Sequence, residues 1–141
     1  MLVRLLYASR AVAAIDQDAL HAILKTSKVN NPKQGITGVL CCSDGVFMQV
    51  LEGGRGAVNA LYNKIAADPR HRDVELLSYD EIAERRFASW SMGQVNLSRL
   101  NPALLLKYSE CAKLDPYAVS GRASAALFDE LVATAAVMGQ P

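Results

Sequence analysis

The 141-residue sequence lacks most of the features that would announce a function. It has two histidines and three cysteines. Cys41 and Cys42 are adjacent, Cys111 is remote, and His21 and His71 fit no zinc spacing, so no metal site is expected. Adjacent strand residues point to opposite faces, so Cys41-Cys42 reads as packing rather than as a redox pair, and reduced thiols fit a cytoplasmic protein. Lys+Arg 15 against Asp+Glu 14 leave a formal net charge of +1, with no basic block longer than a pair. That argues against nucleic acid as a partner. No apolar run approaches the length of a membrane span, so no membrane association is expected. The opening MLVRLLYASR carries Arg4 within its apolar run and is followed by Asp16 and Asp18, so it lacks the long apolar middle of a signal peptide. Repeats and low-complexity tracts are also absent. The length suits one domain with a real core.

What is there is an alternation of periods. LVRLLYAS (2–9) reads as a strand with Val3, Leu5 and Tyr7 on one face and Leu2, Arg4 and Leu6 on the other. Both faces are largely apolar, which predicts a central strand. Asp16 is placed to cap a helix running to Asn31, where Pro32 disfavours helical geometry, and Leu20, Leu24, Ser27 and Asn31 form one stripe of it. GITGVLCC (35–42) and GVFMQVLE (45–52) predict a hairpin about Ser43-Asp44-Gly45. Val58, Leu61, Tyr62 and Ile65 predict a second amphipathic helix that stops near Asp68-Pro69. VELLSYDEI (74–82) and WSMGQVN (90–96) complete the order β-α-β-β-α-β-β. This is an α+β sheet with two helices on one face, as in split βαβ folds.

The other face needs a cover of its own, and the C-terminal third supplies it. Asn101-Pro102 opens a helix through ALLLKYSECAKL, Asp115-Pro116 breaks it, and ASAALFDELVATAAVMG forms another. The last helix is apolar over most of its circumference, with Asp129 and Glu130 marking a wet side. It is expected to bury itself on the sheet and in a subunit contact, giving a dimer or larger ring. The expected division is a domain over 1–97 and a helical extension over 98–141.

Gln49 is the anomaly of the hairpin. It shares a face with Phe47 and Leu51, and burying its amide unpaired would cost on the order of 2 kcal/mol or more. Tyr7, Ser27, Asn31 and Lys64 are predicted to face the same space between the helices and the sheet. Taken singly, each has a structural reading: a carbonyl partner for Tyr7, a helix-end cap for Asn31, a backbone partner for Gln49, a snorkelling stem for Lys64. Together they suit a planar heterocycle with alternating donors and acceptors.

At this point the sequence resembles a known family, the BLUF (blue light using flavin) photoreceptors. The resemblance lies in YASR (7–10), SKVNNPKQGITGVL (27–40), FMQVLEG (47–53), NKIAADPRH (63–71) and RFASWSMG (86–93), which span almost all of residues 1–96 in the family's order. LLLKYS (104–109) further resembles the short BLUF proteins of PixD type. The resemblance implies a ferredoxin-like sheet holding FAD between the two helices. It places Tyr7 at the electron- and proton-donating tyrosine and Gln49 at the glutamine bridging it to the flavin. Asn31, with Asn30 and Ser27 beside it, matches the residues at the polar edge of the ring. Lys64 stands where relatives often carry Arg, and an ammonium cannot fork as a guanidinium does. Asp68, Arg70 and His71 match the segment at the cofactor's edge, and Trp90 and Met92 the pair implicated in signalling near Gln49. No substrate is implied, so the expected output is a changed surface for a separate signalling protein.

Two features stand apart. Many relatives have Pro after LEG, whereas here Gly54 gives GGRG. It lacks both phosphate-loop patterns, so a turn with glycines at positive φ is expected. Arg10 with Asn30 or Asn31 could instead imitate the anion site of an acylphosphatase, a small enzyme of the same broad fold class. That alternative leaves Tyr7, Gln49 and Met92 without a task.

Overall fold

The computed structural model describes residues 1–14, 17–95, 101–134 and 137–138. Its strands are β1 (Leu2–Ala11), β2 (Thr37–Ser43), β3 (Val46–Gly54), β4 (His71–Ile82), β5 (Gly93–Val95) and β6 (Val137–Met138). Its helices are α1 (Gln17–Asn30), α2 (Arg55–Ala66), α3 (Pro102–Tyr108) and α4 (Gly121–Ala133), with a 3-10 turn at Pro32–Gln34. The strands form one sheet in the order β4-β1-β3-β2-β5-β6. The fold is α+β and ferredoxin-like, as the alternation of periods predicts. β1 lies between β4 and β3, both antiparallel to it, which is why both of its faces are apolar.

The β2–β3 hairpin closes through a two-residue loop. Ser43 pairs with Val46, and Asp44 and Gly45 have φ of 50° and 75°, the double left-handed geometry that matches strand twist and for which Asp-Gly is suited. The GGRG segment departs from expectation. Gly54 has φ −62° and N-caps α2, and the only glycines with positive φ are Gly35 and Gly45 among the described residues. Gly53 is required by closeness instead, since a Cβ there would lie 3.0 Å from the Gly35 carbonyl oxygen.

Period-two alternation sorts side chains into two cores. Val3, Leu5, Tyr7, Phe47 and Leu51 face α1 and α2, joined by Leu20, Leu24 and Val58. Leu6, Ala8, Val39, Cys41, Met48 and Val50 face the other way, under Leu127, Phe128 and Leu131 of α4. The C-terminal helices thus cover the far face as expected. α3 is shorter than its apolar run suggested: Asn101 Oδ1 accepts from Ala103 N at 3.0 Å to start it, and it ends at Tyr108. α4 starts with Ser120 Oγ accepting from Ala123 N. Gly121 lets it approach the sheet, since a Cβ would fall 1.8 Å from the Leu77 carbonyl oxygen.

Three expectations need correction or placing. The last helix, expected to reach Met138, ends at Ala133, and Val137–Met138 pairs with β5 instead. Its apolar stripe is covered within the chain, with Leu127, Phe128 and Leu131 all buried, so that stripe carries no argument for a subunit contact. The Asp16 cap lies outside the described residues.

Candidate functional site

Tyr7 and Gln49 are directly opposed across the β1–β3 pair, so two central strands place them side by side. Tyr7 Oη donates to Gln49 Oε1 at 2.5 Å, and Gln49 Nε2 donates to Met92 Sδ at 3.2 Å. All three residues are buried. The anomaly of the hairpin is thereby resolved: the Gln49 amide is an acceptor at one end and a donor at the other, in a continuous chain from phenol to thioether. Its second N–H and second lone pair exceed these two contacts.

The chain opens onto a cavity of about 420 Å³ between α1, α2 and the sheet, within the range of small-molecule sites. Ile23, Leu40, Phe47, Leu61 and Ile65 form apolar walls. Tyr7, Gln49, Ser27 and Asn31 are the polar groups of its inner part, and Asp68, Arg70 and His71 form one edge. Asn31 is 4% exposed, its Nδ2 donates to the Ser91 carbonyl at 3.0 Å, and its Oδ1 has no donor among the described residues. Ser27 Oγ turns back to the Ile23 carbonyl at 3.2 Å.

The edge is held by its own bonds. Asp68 accepts from the Arg70 backbone N–H and guanidinium at 2.9 and 3.0 Å, and these bonds pull its carboxyl down to about 2. His71 lies 2.8 Å from Ser9 Oγ through Nδ1 and 2.5 Å from the Ile65 carbonyl through Nε2. A carbonyl only accepts, so Nε2 carries the proton and, in the neutral ring, Nδ1 accepts from Ser9. Burial pushes the Tyr7 phenol well above its ordinary value, with the nearby Tyr62 and Asp68 acting in the same direction. Tyr7 is therefore a neutral O–H donor at physiological pH.

The predicted set does not converge as a whole. Tyr7, Ser27, Asn31, Gln49, Asp68, Arg70 and His71 line the cavity, whereas Asn30 and Lys64 are exposed and lie outside that lining. Lys64 falls on the exposed side of α2. Trp90 and Met92 do not share a face. Residues 86–92 are neither helix nor strand, so period-two alternation does not apply to them. Trp90 packs in the far-face core, its buried Nε1 without a partner among the described residues, while Met92 packs beside Tyr7. Arg10 does not join Asn30 or Asn31: it lies 3.6 Å from Asp73 Oδ2 and stacks on Tyr117 at 4.2 Å, so no anion site of the acylphosphatase kind is assembled. Among the described residues no His, Cys, Asp and Glu group is arranged to hold a metal, and no helix is long and apolar enough to cross a membrane.

Sequence reasoning missed Glu52 and Ser9. Both are fully buried, and Ser9 extends the polar edge by holding His71. Glu52 faces the far side, where Arg4 Nε donates to its Oε2 at 2.8 Å. The available signal was the register: Arg4 and Glu52 are opposed on β1 and β3, one charge of each sign on otherwise apolar faces.

This geometry agrees with what the chain resembles. Residues 2–93 match the family described as BLUF, sensors of blue light using FAD. Residues 2–93 are more than half of the chain, which therefore belongs to the BLUF family; its cofactor is FAD, and the role the family description gives is that of a blue-light sensor. Among curated proteins it is 39% identical over 92 residues to the photoactivated adenylate cyclase subunit beta of Euglena gracilis, covering 64% of this chain and 11% of that protein. The chain thus spans only a small part of the curated relatives it matches. Among solved structures it aligns with BlrB, a BLUF protein in its dark state, at TM-score 0.79 and 34% identity over 95% of this chain and 96% of that one. It also aligns with the photo-activated state of BlsA at TM-score 0.81 and 31% identity over 100% and 99%. The residues present suit a flavin: apolar walls for a flat ring system, and amide and phenol groups with unspent valences for its carbonyl and imide edge.

Proposed function

We propose that this BLUF protein senses blue light through a hydrogen-bond relay from Tyr7 through Gln49 to Met92, and passes the change to a separate signalling protein. The observation that carries the reading is the unbroken chain Tyr7 Oη, Gln49 amide, Met92 Sδ, at 2.5 and 3.2 Å. Asn31, Ser27 and Gln49 would hold the ring of the flavin, with Asp68, Arg70 and His71 at its edge; Asn30 and Lys64 serve at most outside the cavity. When bound, the flavin would supply blue-light absorption and an excited-state acceptor for one electron and one proton.

Tyr7 is the source of that electron, and its phenolic proton leaves along the bond to Gln49. Both return to Tyr7, so nothing is consumed. What persists is the Gln49 amide, rotated or tautomerised so that its donor and acceptor ends are exchanged. A reversed amide places an acceptor against Met92 Sδ, which is itself an acceptor, and the contact that held residue 92 becomes unfavourable. The thioether contact is the weakest bond of the relay, so it is the place where the change leaves the cavity. Residues 1–97 act as the sensory unit and 98–141 as its extension, whose α3 and α4 cover the far face. The free thiols of Cys41, Cys42 and Cys111 suit the cytoplasm. A homo-oligomer, dimer or larger ring, is a separate proposal that neither the relay nor the covered α4 stripe requires, and a strict monomer in sedimentation at micromolar concentration would remove it.

The test is an absorption spectrum of the purified, flavin-loaded protein before and after blue light. The expected result is a reversible red shift in the wild type and none in Tyr7→Phe, which keeps the ring but has no hydroxyl to give. A normal shift in Tyr7→Phe overturns the relay.

A further inference from the structure

Residues 86–92 connect the two cores without belonging to a helix or a strand. Phe87 and Trp90 are buried in the far-face core and Met92 in the cavity-face core, so the chain passes from one side of the sheet to the other between Trp90 and Met92. No ladder holds this segment, and its position depends on individual bonds. Downstream, the Trp90 carbonyl accepts from Gly38 N at 3.0 Å, the Ser91 carbonyl from Asn31 Nδ2 at 3.0 Å, and Met92 Sδ from Gln49 Nε2 at 3.2 Å. Upstream, the Arg86 side chain pairs with Asp129 of α4, and the backbone itself is held by Glu52. Its Oε1 accepts from Phe87 N at 2.6 Å, and its Oε2 from Arg86 N at 3.1 Å and from Arg4 Nε at 2.8 Å.

We infer that Glu52 is a positioning residue that sets where segment 86–92 runs, and through it the contact between Met92 and Gln49. Two consecutive backbone N–H groups on the two oxygens of one carboxylate fix the orientation of the peptide planes they belong to. A carboxylate that is fully buried tolerates little displacement of its donors, because each lost bond leaves a desolvated charge less compensated. Arg4 balances that charge from β1, the same strand that carries Tyr7 on its opposite face, and Glu52 lies three residues from Gln49 on β3. The two ends of segment 86–92 are thus tied to one strand, β3, by side chains on opposite faces: Glu52 at the upstream end and Gln49 at the downstream end. A change at Gln49 frees one end, and the Glu52 anchor confines the resulting movement to the residues between. The part of this inference that concerns light rests on the relay reading above; the part that concerns the anchor does not.

The test has two arms. Glu52→Gln places an amide N–H₂ among donors and is expected to raise dark-state amide exchange over residues 88–92 about tenfold after correction for global stability. In the flavin-loaded protein it is expected to alter the dark-recovery rate after blue light by about threefold or more. Leu131→Ala, which destabilises the same far-face core without touching the segment's bonds, is the comparison and is expected to leave corrected exchange at 88–92 within about twofold. Equal effects of Glu52→Gln and Leu131→Ala, or no change at 88–92, would overturn the inference. If Glu52→Gln does not fold, the double variant Arg4→Met/Glu52→Met removes both charges at similar volume and leaves the same two N–H groups without a carboxylate, with the same result expected. A wild type with no light-induced shift would defeat the relay reading alone, because the exchange arm needs no light.

Discussion

The two faces of the sheet are built from the same strands and do opposite things with them. On β3, Met48, Val50 and Glu52 face away from the cavity while Phe47, Gln49 and Leu51 face into it. The far face is closed by α4 over Leu127, Phe128 and Leu131, and Glu52 has a donor on each oxygen. The cavity face leaves a hollow of about 420 Å³, and its polar groups bond to one another with valences to spare. Closure on one side lets the other remain open. Both faces carry a buried core, but only the cavity face leaves polar groups beside unfilled space.

That division can be broken at either face. Gln49→Leu should have the largest functional effect: it removes both ends of the bridge at similar volume, so flavin stays bound and the light-induced red shift is lost. A spectrum that still shifts would mean that the relay bypasses Gln49. On the far face, Leu131→Ala should cost about 2–5 kcal/mol of stability in denaturant unfolding while the red shift keeps its size. Loss of the shift in a folded Leu131→Ala protein would show that the faces are not separable.

Smaller effects sharpen the same contrast. Asn31→Ala removes a group of the cavity's polar edge and should weaken flavin retention by about 1–2 kcal/mol, roughly fivefold to thirtyfold in affinity by titration. Unchanged affinity would reassign Asn31 to its bond with the Ser91 carbonyl. The smallest effect is that of pH. The Tyr7 phenol is raised in the folded state, so its neutral form is favoured there, and this contribution to stability is complete below the unfolded value of about 10 and lost as pH rises through the higher folded one. The amplitude of the red shift should therefore be flat between about pH 6 and 9. A titration of the amplitude in that window would place the proton donor elsewhere.

The strands, the hairpin and both helix-covered faces were legible because each rests on a period or a local turn signal. That Gln49 needs a partner was legible from its place between Phe47 and Leu51, whereas the choice of Tyr7 came from the family resemblance. Trp90 was set beside Met92 by the family resemblance and by reading 90–96 as one strand, but residues 90–92 are not a strand and the two side chains enter different cores. Lys64 was assigned inward on a helix whose apolar stripe is narrow, and α2 turns it outward. α4 was read too long because an apolar run continues past its end, and run length alone cannot distinguish a helix from a helix followed by a bridge to β5. Glu52 was overlooked because a charge near a strand end reads as solvated; only the cross-strand partner Arg4 gives it away.

The two-residue loop at Asp44-Gly45 also bears on how this chain can vary. Hairpin tips are ordinarily the most permissive places for insertion and deletion. Here the tip sets the register in which Leu40 and Tyr7 flank Gln49. A slip of one residue would turn Gln49 onto the far face and swing Glu52 over the cavity, exchanging the photochemical group for a bare charge without altering the composition of a single strand. The distance from Gly45 to Gln49 is thus under the same constraint as the identity of Gln49, and a length change at this exposed tip has the reach of a substitution at the heart of the site.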